Sequence, residues 1–241
     1  MVEFKREYYS SGELFIEYFE VNNKKEGEYK KYNKNGNLEF ICNYVNGKQQ
    51  GESKQYIDNK LWVNCYLING KIEGSHKFYH MNGELEEITN YVNNKKNGEY
   101  KKYHNNGQLA VIYNYVNGLK EGECKEYGID GELVKINNYV NDIIEGEYKK
   151  YYTNGQLMII CNYVNGMREG EYKSYWENGQ LFEICNFVND KVEGEYKFYH
   201  FNGQIRIISN YVNGIKEGKW TEYYENGELK EVRNYVNGKR Q

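Results

Sequence analysis

The chain has 241 residues, with 32 basic and 35 acidic side chains and a net charge of −3. That is too close to balance for a global field that would draw it to nucleic acid or an anionic surface. No apolar run is long enough to span a membrane. The opening MVEFKREYYSSGELF places charges where a secretory leader carries its apolar stretch, so the expected location is intracellular, soluble and cytoplasmic, not secreted and with no transmembrane segment.

The chain begins with a partial unit, residues 1–26, whose turns are Ser11-Gly12 and Asn22-Asn23. From there a glycine recurs at Gly27, Gly51, Gly74, Gly98, Gly122, Gly146, Gly170, Gly194 and Gly218, in steps of 24 residues with one step of 23. So regular a period marks a repeat architecture in which each unit packs on its neighbours. The expected organisation is one continuous array over residues 1–241, about ten units, with 1–26 and 218–241 as divergent terminal units. Proline is absent and Asn, Lys, Ile and Tyr abound, a usage typical of an AT-rich genome.

Within a unit, as in the stretch Gly146 to Gly170, two turn signals separate two short segments. The first signal is Asn-Gly at Asn35-Gly36, Asn82-Gly83, Asn106-Gly107, Asn154-Gly155, Asn178-Gly179, Asn202-Gly203 and Asn226-Gly227, with Asp130-Gly131 once. Asn-Gly supplies the positive φ angles of a type I′ turn, so each of these predicts a tight β-hairpin. The second signal, Val-Asn-Gly as at Asn46-Gly47 and Asn165-Gly166, relaxes to Asn-Asn or Asn-Asp in other units. Extra residues before the next glycine predict the longer loop here. The segments between, Glu-Tyr-Lys-x-Tyr and Leu-x-x-Ile-x-Asn-Tyr-Val, are rich in β-formers and too short for helices. The predicted fold is all-β: an elongated single-sheet antiparallel β-meander of about ten 24-residue hairpin repeats, with like residues of successive units about 9.5 Å apart.

Three columns of residues describe the expected packing. Tyrosine stands five residues after the glycine in every unit: Tyr8, Tyr32, Tyr56, Tyr79, Tyr103, Tyr127, Tyr151, Tyr175, Tyr199 and Tyr223. Leucine or isoleucine fills a second column from Leu14 to Leu229, and valine or isoleucine a third that ends at Val212 and Val236. These columns predict the packed face, with phenol hydroxyls at its wet margin. The tyrosines two and five residues after the glycine have opposite parity in a regular strand. Either both faces carry aromatics, or a bulge intervenes.

The pattern G-E-Y-K-x-Y-x-x-N-G-Q-L-x-x-I-x-N-Y-V-N-G-x-x-E resembles the MORN repeat, in the variant form found in bacterial and giant-virus proteins, some of them antitoxin components. Gly170, Tyr172, Tyr175 and Asn178-Gly179 carry the likeness, which covers essentially the whole chain. It departs from the better-known eukaryotic form, where Gly-x-Gly and Trp are frequent: here Glu usually follows the glycine, and Trp occurs only at Trp62, Trp176 and Trp220. The resemblance implies a β-meander scaffold or adaptor with no family-wide catalytic residue.

Chemistry has little to build on. A uniform array yields ladders of like residues, whereas catalysis needs unlike groups converging. His80, His104 and His200 share a column, too widely spaced for one metal ion, and read as solvated positions. Cys42, Cys65, Cys161 and Cys185 share another, with Cys124 in place of a tyrosine; same-column spacing exceeds disulfide reach, so free thiols are expected. Gly214 to Lys219 is one residue short of a P-loop and lacks its Ser/Thr and helix. The lysines three residues after the glycine, Lys30, Lys54, Lys77, Lys101, Lys125, Lys149, Lys173 and Lys197, run beside Glu28, Glu52, Glu99, Glu123, Glu147, Glu171 and Glu195. Cross-strand pairing of the two columns would cancel most of the field beyond a Debye length of about 8 Å.

The third unit is irregular: Ile57, Asp58, Asn59 and Lys60 connect Tyr56 to Leu61, one residue fewer than elsewhere and without the turn glycine, and Trp62 follows. Asn59, Lys60 and Trp62 are the candidate partner-specific positions. At the two ends Lys5, Arg6, Lys230, Glu231 and Arg233 discourage edge-to-edge pairing. The expected function is a non-enzymatic repeat scaffold that binds another protein, with no cofactor, metal or nucleic acid. Peripheral binding to anionic lipid and neutralisation of a toxin, the latter from the resemblance, are the alternatives.

Overall fold

A computed structural model describes residues 1–241. The chain is all-β, its 25 strands joined by turns. It divides into two compact units, Met1–Leu119 and Lys120–Gln241. In each, successive strands pair antiparallel in chain order, a meander with no crossover. In the first unit Val2–Tyr8 pairs with Leu14–Val21, which pairs with Lys24–Tyr32, and so on. In the second, Gly146–Tyr151 pairs with Leu157–Val164, which pairs with Gly170–Tyr175. No helix is long and apolar enough to cross a membrane.

The two turn signals exchange the geometries expected of them. At the second signal Asn46 and Gly47 have φ of 52° and 78°, and Val45 pairs directly with Lys48. This is the two-residue type I′ hairpin, whose twist matches its strands. Asn-Asn and Asn-Asp adopt it as well, as at Asn93-Asn94 with 51° and 67°, because Asn and Asp tolerate the left-handed region better than other side chains. At the first signal only the glycine is left-handed: Gly155 has φ of 80°, Asn154 does not have positive φ, and the amides of Gly155 and Tyr152 bond the carbonyls of Tyr152 and Gln156. That is a type I turn closed by a left-handed glycine, a longer hairpin loop. The Asn is used differently here: its Oδ1 accepts the amide of Gln156 at 2.9 Å, pinning the turn.

Two bulges per repeat set the register. The repeat glycine is the first: opposite Cys185, the segment Gly194–Tyr196 fills the place of a single residue, and Gly194 has φ of 81°. Only glycine adopts that conformation without strain. The second lies on the other strand beside the tyrosine column. Lys150 pairs with Ile159 but Tyr151 with Leu157, leaving Met158 unpaired. The bulge reverses parity and places Leu157 on the same face as Tyr151. Of the two alternatives read from the sequence, aromatics on both faces is the one that holds: Tyr148 and Tyr151 lie on opposite sides of a regular strand, and the bulge sits on the strand across from them.

Side chains tie each repeat to the next along both rows of turns. Glu145 accepts the amide of Asn165 at 2.7 Å, Glu169 that of Asn189 at 2.9 Å and Glu193 that of Asn213 at 2.6 Å. The residue just before the repeat glycine, glutamate in most units and Gln50 or Asn97 in two, thus caps the following type I′ turn. Along the other row, Asn154, Asn178 and Asn202 donate Nδ2–H to the carbonyls of Glu177, Phe201 and Glu225 at 2.9 to 3.1 Å.

Candidate interaction surface

Strand alternation separates two faces. Residues one, three and five positions after the glycine, with the Ile and Asn of the following strand, make a polar face. Residues two, four and six positions after it make an aromatic one.

The aromatic face holds most of the core. Tyr29 and Tyr100 are 8% exposed, Trp220 is 6% and Cys124 is 2% exposed, all two positions after the glycine. They stand across from Cys42, Tyr113, Arg233 and Asn137. Tyr148 meets Tyr163 with ring centroids 5.7 Å apart, Tyr172 meets Phe187 at 5.5 Å and Tyr196 meets Tyr211 at 5.7 Å, a ladder of inclined ring pairs. The tyrosine column five positions after the glycine, expected as the packed face, lies on the polar side instead. Tyr32, Tyr56, Tyr79, Tyr103, Tyr127, Tyr151, Tyr175, Tyr199 and Tyr223 are half-buried there, and Tyr8 is exposed. The valine column is a second correction. Val45, Val116, Val164 and Val236 are each about two-fifths exposed or more, because they end their strands at the turns, where no further residue covers them.

The cysteines fall in the buried column. None is paired; Cys42, Cys124, Cys161 and Cys185 are buried and Cys65 is half-buried. Burial pushes the thiols of Cys42 and Cys161 up to about 11 and that of Cys185 up to about 12, away from the reactive thiolate. The histidines are not the solvated positions expected. His80 and His200 are half-buried, with Nε2 at 3.2 Å and 3.0 Å from the carbonyls of Tyr103 and Tyr223. A carbonyl only accepts, so Nε2 carries the proton, and the rings act as clamps between repeats. Tyr152 does the same through its hydroxyl, 2.7 Å from the Tyr175 carbonyl. No group of three or more His, Cys, Asp or Glu side chains is placed to hold a metal.

On the polar face the column lysines, Lys77 excepted, reach back along their own strands, not across to the next. Lys30 lies 2.5 Å from Glu28, Lys54 2.9 Å from Glu52, Lys101 2.5 Å from Glu99, Lys125 2.5 Å from Glu123, Lys149 2.6 Å from Glu147, Lys173 2.5 Å from Glu171 and Lys197 2.5 Å from Glu195. Register explains the correction: the residue across from Lys149 is Ile160, and from Lys173 it is Ile184. The bond to glutamate raises Lys101, Lys125, Lys149, Lys173 and Lys197 above the usual lysine range. Between successive repeats the face sinks into hollows. One of about 560 Å³ is lined by Glu147, Ile160, Asn162, Glu171, Lys173 and Tyr175. Another, of about 650 Å³, is lined by Glu52, Asn64, Tyr66, Ile68, Ser75 and Lys77.

The third-unit hairpin is the tight turn its length requires. Asp58 and Asn59 have φ of 49° and 62°, and Ile57 pairs with Lys60. Lys60 Nζ lies 2.6 Å from the Met81 carbonyl. Trp62 is the bulged residue of its strand, 38% exposed, with its ring centroid 6.1 Å from that of Phe78. It lines a hollow of about 290 Å³ on the aromatic face, with Phe40, Gln55 and Ile57. The three candidate positions are therefore spread: Asn59 shapes the turn, Lys60 ties it to the next repeat, and Trp62 alone faces a hollow.

Among solved structures the chain has remote likenesses. The chain is 16% identical to part of a GtfA/B complex bound to UDP and GlcNAc, with TM-score 0.21, covering 47% of this chain and 22% of that one. It is 12% identical to a Photorhabdus luminescens Tc holotoxin pore, with TM-score 0.18, covering 98% of this chain and 15% of that one. It is 8% identical to a porin-like protein from Bacteroides uniformis, with TM-score 0.20, covering 100% of this chain and 92% of that one. The chain thus spans less than a quarter of the first two, and at these TM-scores none of the likenesses carries an argument. No match is found among curated proteins. A family model described as the MORN repeat variant matches residues 25–46, 72–93, 96–117, 144–165, 168–189, 192–213 and 216–237. Those segments make up more than half of the sequence and coincide with the hairpins closed by the wider loops, such as Asn35-Gly36 and Asn154-Gly155, each segment ending at the next type I′ turn, so the chain belongs to the MORN repeat variant family.

Proposed function

We propose that this repeat scaffold is non-enzymatic and binds a protein partner on its polar face, with affinity built from weak contacts repeated over several units. The observation that carries the reading is the recurrence of like hollows on that face: the one floored by Ile160 and Asn162 and walled by Lys173 and Glu171 has a counterpart of about 330 Å³ floored by Ile41 and Asn43 and walled by Lys54 and Glu52. Such a surface offers spaced apolar pockets with hydrogen-bonding rims, which suits an extended polypeptide. Anionic lipid is the weaker reading, because the lysines that would meet phosphate headgroups already hold glutamates at 2.5 to 2.9 Å.

The test is a photo-crosslinking amino acid placed at Asn162, and separately at Asn186, in cells that express the chain. Both positions are exposed on the polar face. The expected result is one recurring protein adduct from both. Adducts to lipid alone, or none from either position, would overturn the reading.

A further inference from the structure

Lys77 stands apart from the other lysines of its column. Ser75 occupies the place where Glu28, Glu52, Glu99 and their counterparts stand, so Lys77 has no carboxylate within ion-pair distance, whereas the column lysines named above each hold one. The hydroxyl of Ser75 is buried and has no hydrogen-bond partner. Both side chains line the hollow of about 650 Å³. Its two glutamates are committed elsewhere: Glu52 to Lys54 at 2.9 Å and to Asn64 Nδ2 at 3.0 Å, and Glu73 to the amide of Asn93 at 2.8 Å. Two further substitutions fall in the same place. Asn64 stands on the strand between Lys54 and Lys77 and faces both, the place that Ile160 takes between Lys149 and Lys173, and Tyr66, 47% exposed, takes the position that Asn43 holds one repeat earlier.

We propose that this hollow binds a carboxylate side chain from an acidic segment of the protein partner. Lys77 supplies the ion pair, the Ser75 hydroxyl donates a hydrogen bond, and Tyr66 with Ile68 covers the apolar residue beside the carboxylate. The geometry is the one the strand already uses: the incoming group takes the position that the chain's own glutamate fills in the neighbouring repeats. One lysine and one hydroxyl match a singly charged carboxylate, while a phosphate dianion calls for more cationic donors. The inference rests on the protein-partner reading and names one contact within it.

The test titrates the isotopically labelled full chain with the blocked peptide acetyl-Leu-Glu-Leu-Glu-amide, with its Gln counterpart, and with inorganic phosphate. Amide shifts are followed by NMR. The expected result is saturable shifts around Tyr66 and Lys77 with the Glu peptide and none with the Gln peptide. Ser75→Glu, which supplies the missing carboxylate from within, should weaken binding by at least about tenfold, and Lys77→Gln should do the same. Glu171→Ser, which frees Lys173, should create a second responding site there. An unchanged urea midpoint shows that each variant is folded. Equal shifts at every lysine of the column, no shift at all, undiminished binding by Ser75→Glu, or phosphate displacing the peptide from the same amides would each overturn the proposal. If the peptide response fails while the Asn162 adduct persists, this subsite is rejected and the protein-partner reading stands; if both fail, both are rejected.

Discussion

At the scale of single residues, burial and regularity part company. The tyrosine five positions after the glycine is the most uniform column in the chain, yet it is half-buried. The column two positions after the glycine varies between Tyr, Ser, His, Cys and Trp and holds the core. Uniformity there reflects a demand repeated in every hairpin, a ring beside the bulge and opposite Leu. The varied column reflects local packing, where a small Cys124 faces Asn137 and a large Tyr100 stacks on Tyr113 at 4.5 Å. The difference has an energetic consequence. Tyr100→Ala removes an 8% exposed ring and its hydroxyl bond to Glu87, 3.0 Å away, and should cost about 3 kcal/mol. Tyr103→Ala, on the polar face, should cost about 1 to 2 kcal/mol. Urea unfolding of the two variants checks the order; a larger loss for Tyr103→Ala would restore the packed face read from the sequence.

At the scale of elements, strand identity, antiparallel pairing and period were legible in the sequence, because turn residues and β-formers alternate on a fixed count. Turn type was not. Asn-Gly occurs at both turns, and what decides between them lies outside the dipeptide. The residues just after Asn165-Gly166 pair straight back onto the strand, while those around Asn154-Gly155 close a wider loop. The same limit hid the bulge at Met158 and its counterparts, which appears only when both strands are aligned. Asn165→Ala replaces, at φ 51°, a side chain that tolerates the left-handed region with one that does not, and should cost about 1 to 2 kcal/mol. Asn154→Ala, where φ is not positive, loses side-chain bonds to Gln156 and Glu177 and should cost about 0.5 to 1 kcal/mol. Thermal unfolding of the pair distinguishes the geometries, and equal losses would argue that both turns are of one type. The gap at Ser75 belongs at this scale too. The missing glutamate was readable from the column, but its meaning required seeing that each lysine is served by its own strand.

At the scale of the whole molecule, many groups titrate in one direction. Burial holds Cys42 and Cys161 up to about 11 and Cys185 up to about 12, against an ordinary thiol value of 9.0. Burial first, then the hydrogen bond from its hydroxyl to Glu17, holds Tyr32 up to about 12, and burial holds Tyr172 up to about 12, against 10.0. The ion-paired lysines are raised as well. In every case the folded state favours the protonated form. The stability these groups contribute is therefore complete below about pH 9 and is lost as pH rises from about 9 to 12. The urea midpoint should stay level up to about pH 9 and then fall steeply, with tyrosinate absorbance rising as the fold opens. A midpoint that holds steady through pH 11 would contradict the burial described for the aromatic face.

The proposal for the polar face is that the chain neutralises its own lysine column, Lys77 excepted, and leaves that face to a protein. The most direct measurement is co-sedimentation of the purified protein with phosphoinositide-containing and with neutral vesicles, at low and at physiological salt. Because each paired lysine is matched by a carboxylate within 2.9 Å, the account predicts no selective sedimentation with the anionic vesicles at either salt. Selective sedimentation that falls steeply as salt is raised would contradict it, and would make the lysine column a lipid-binding stripe.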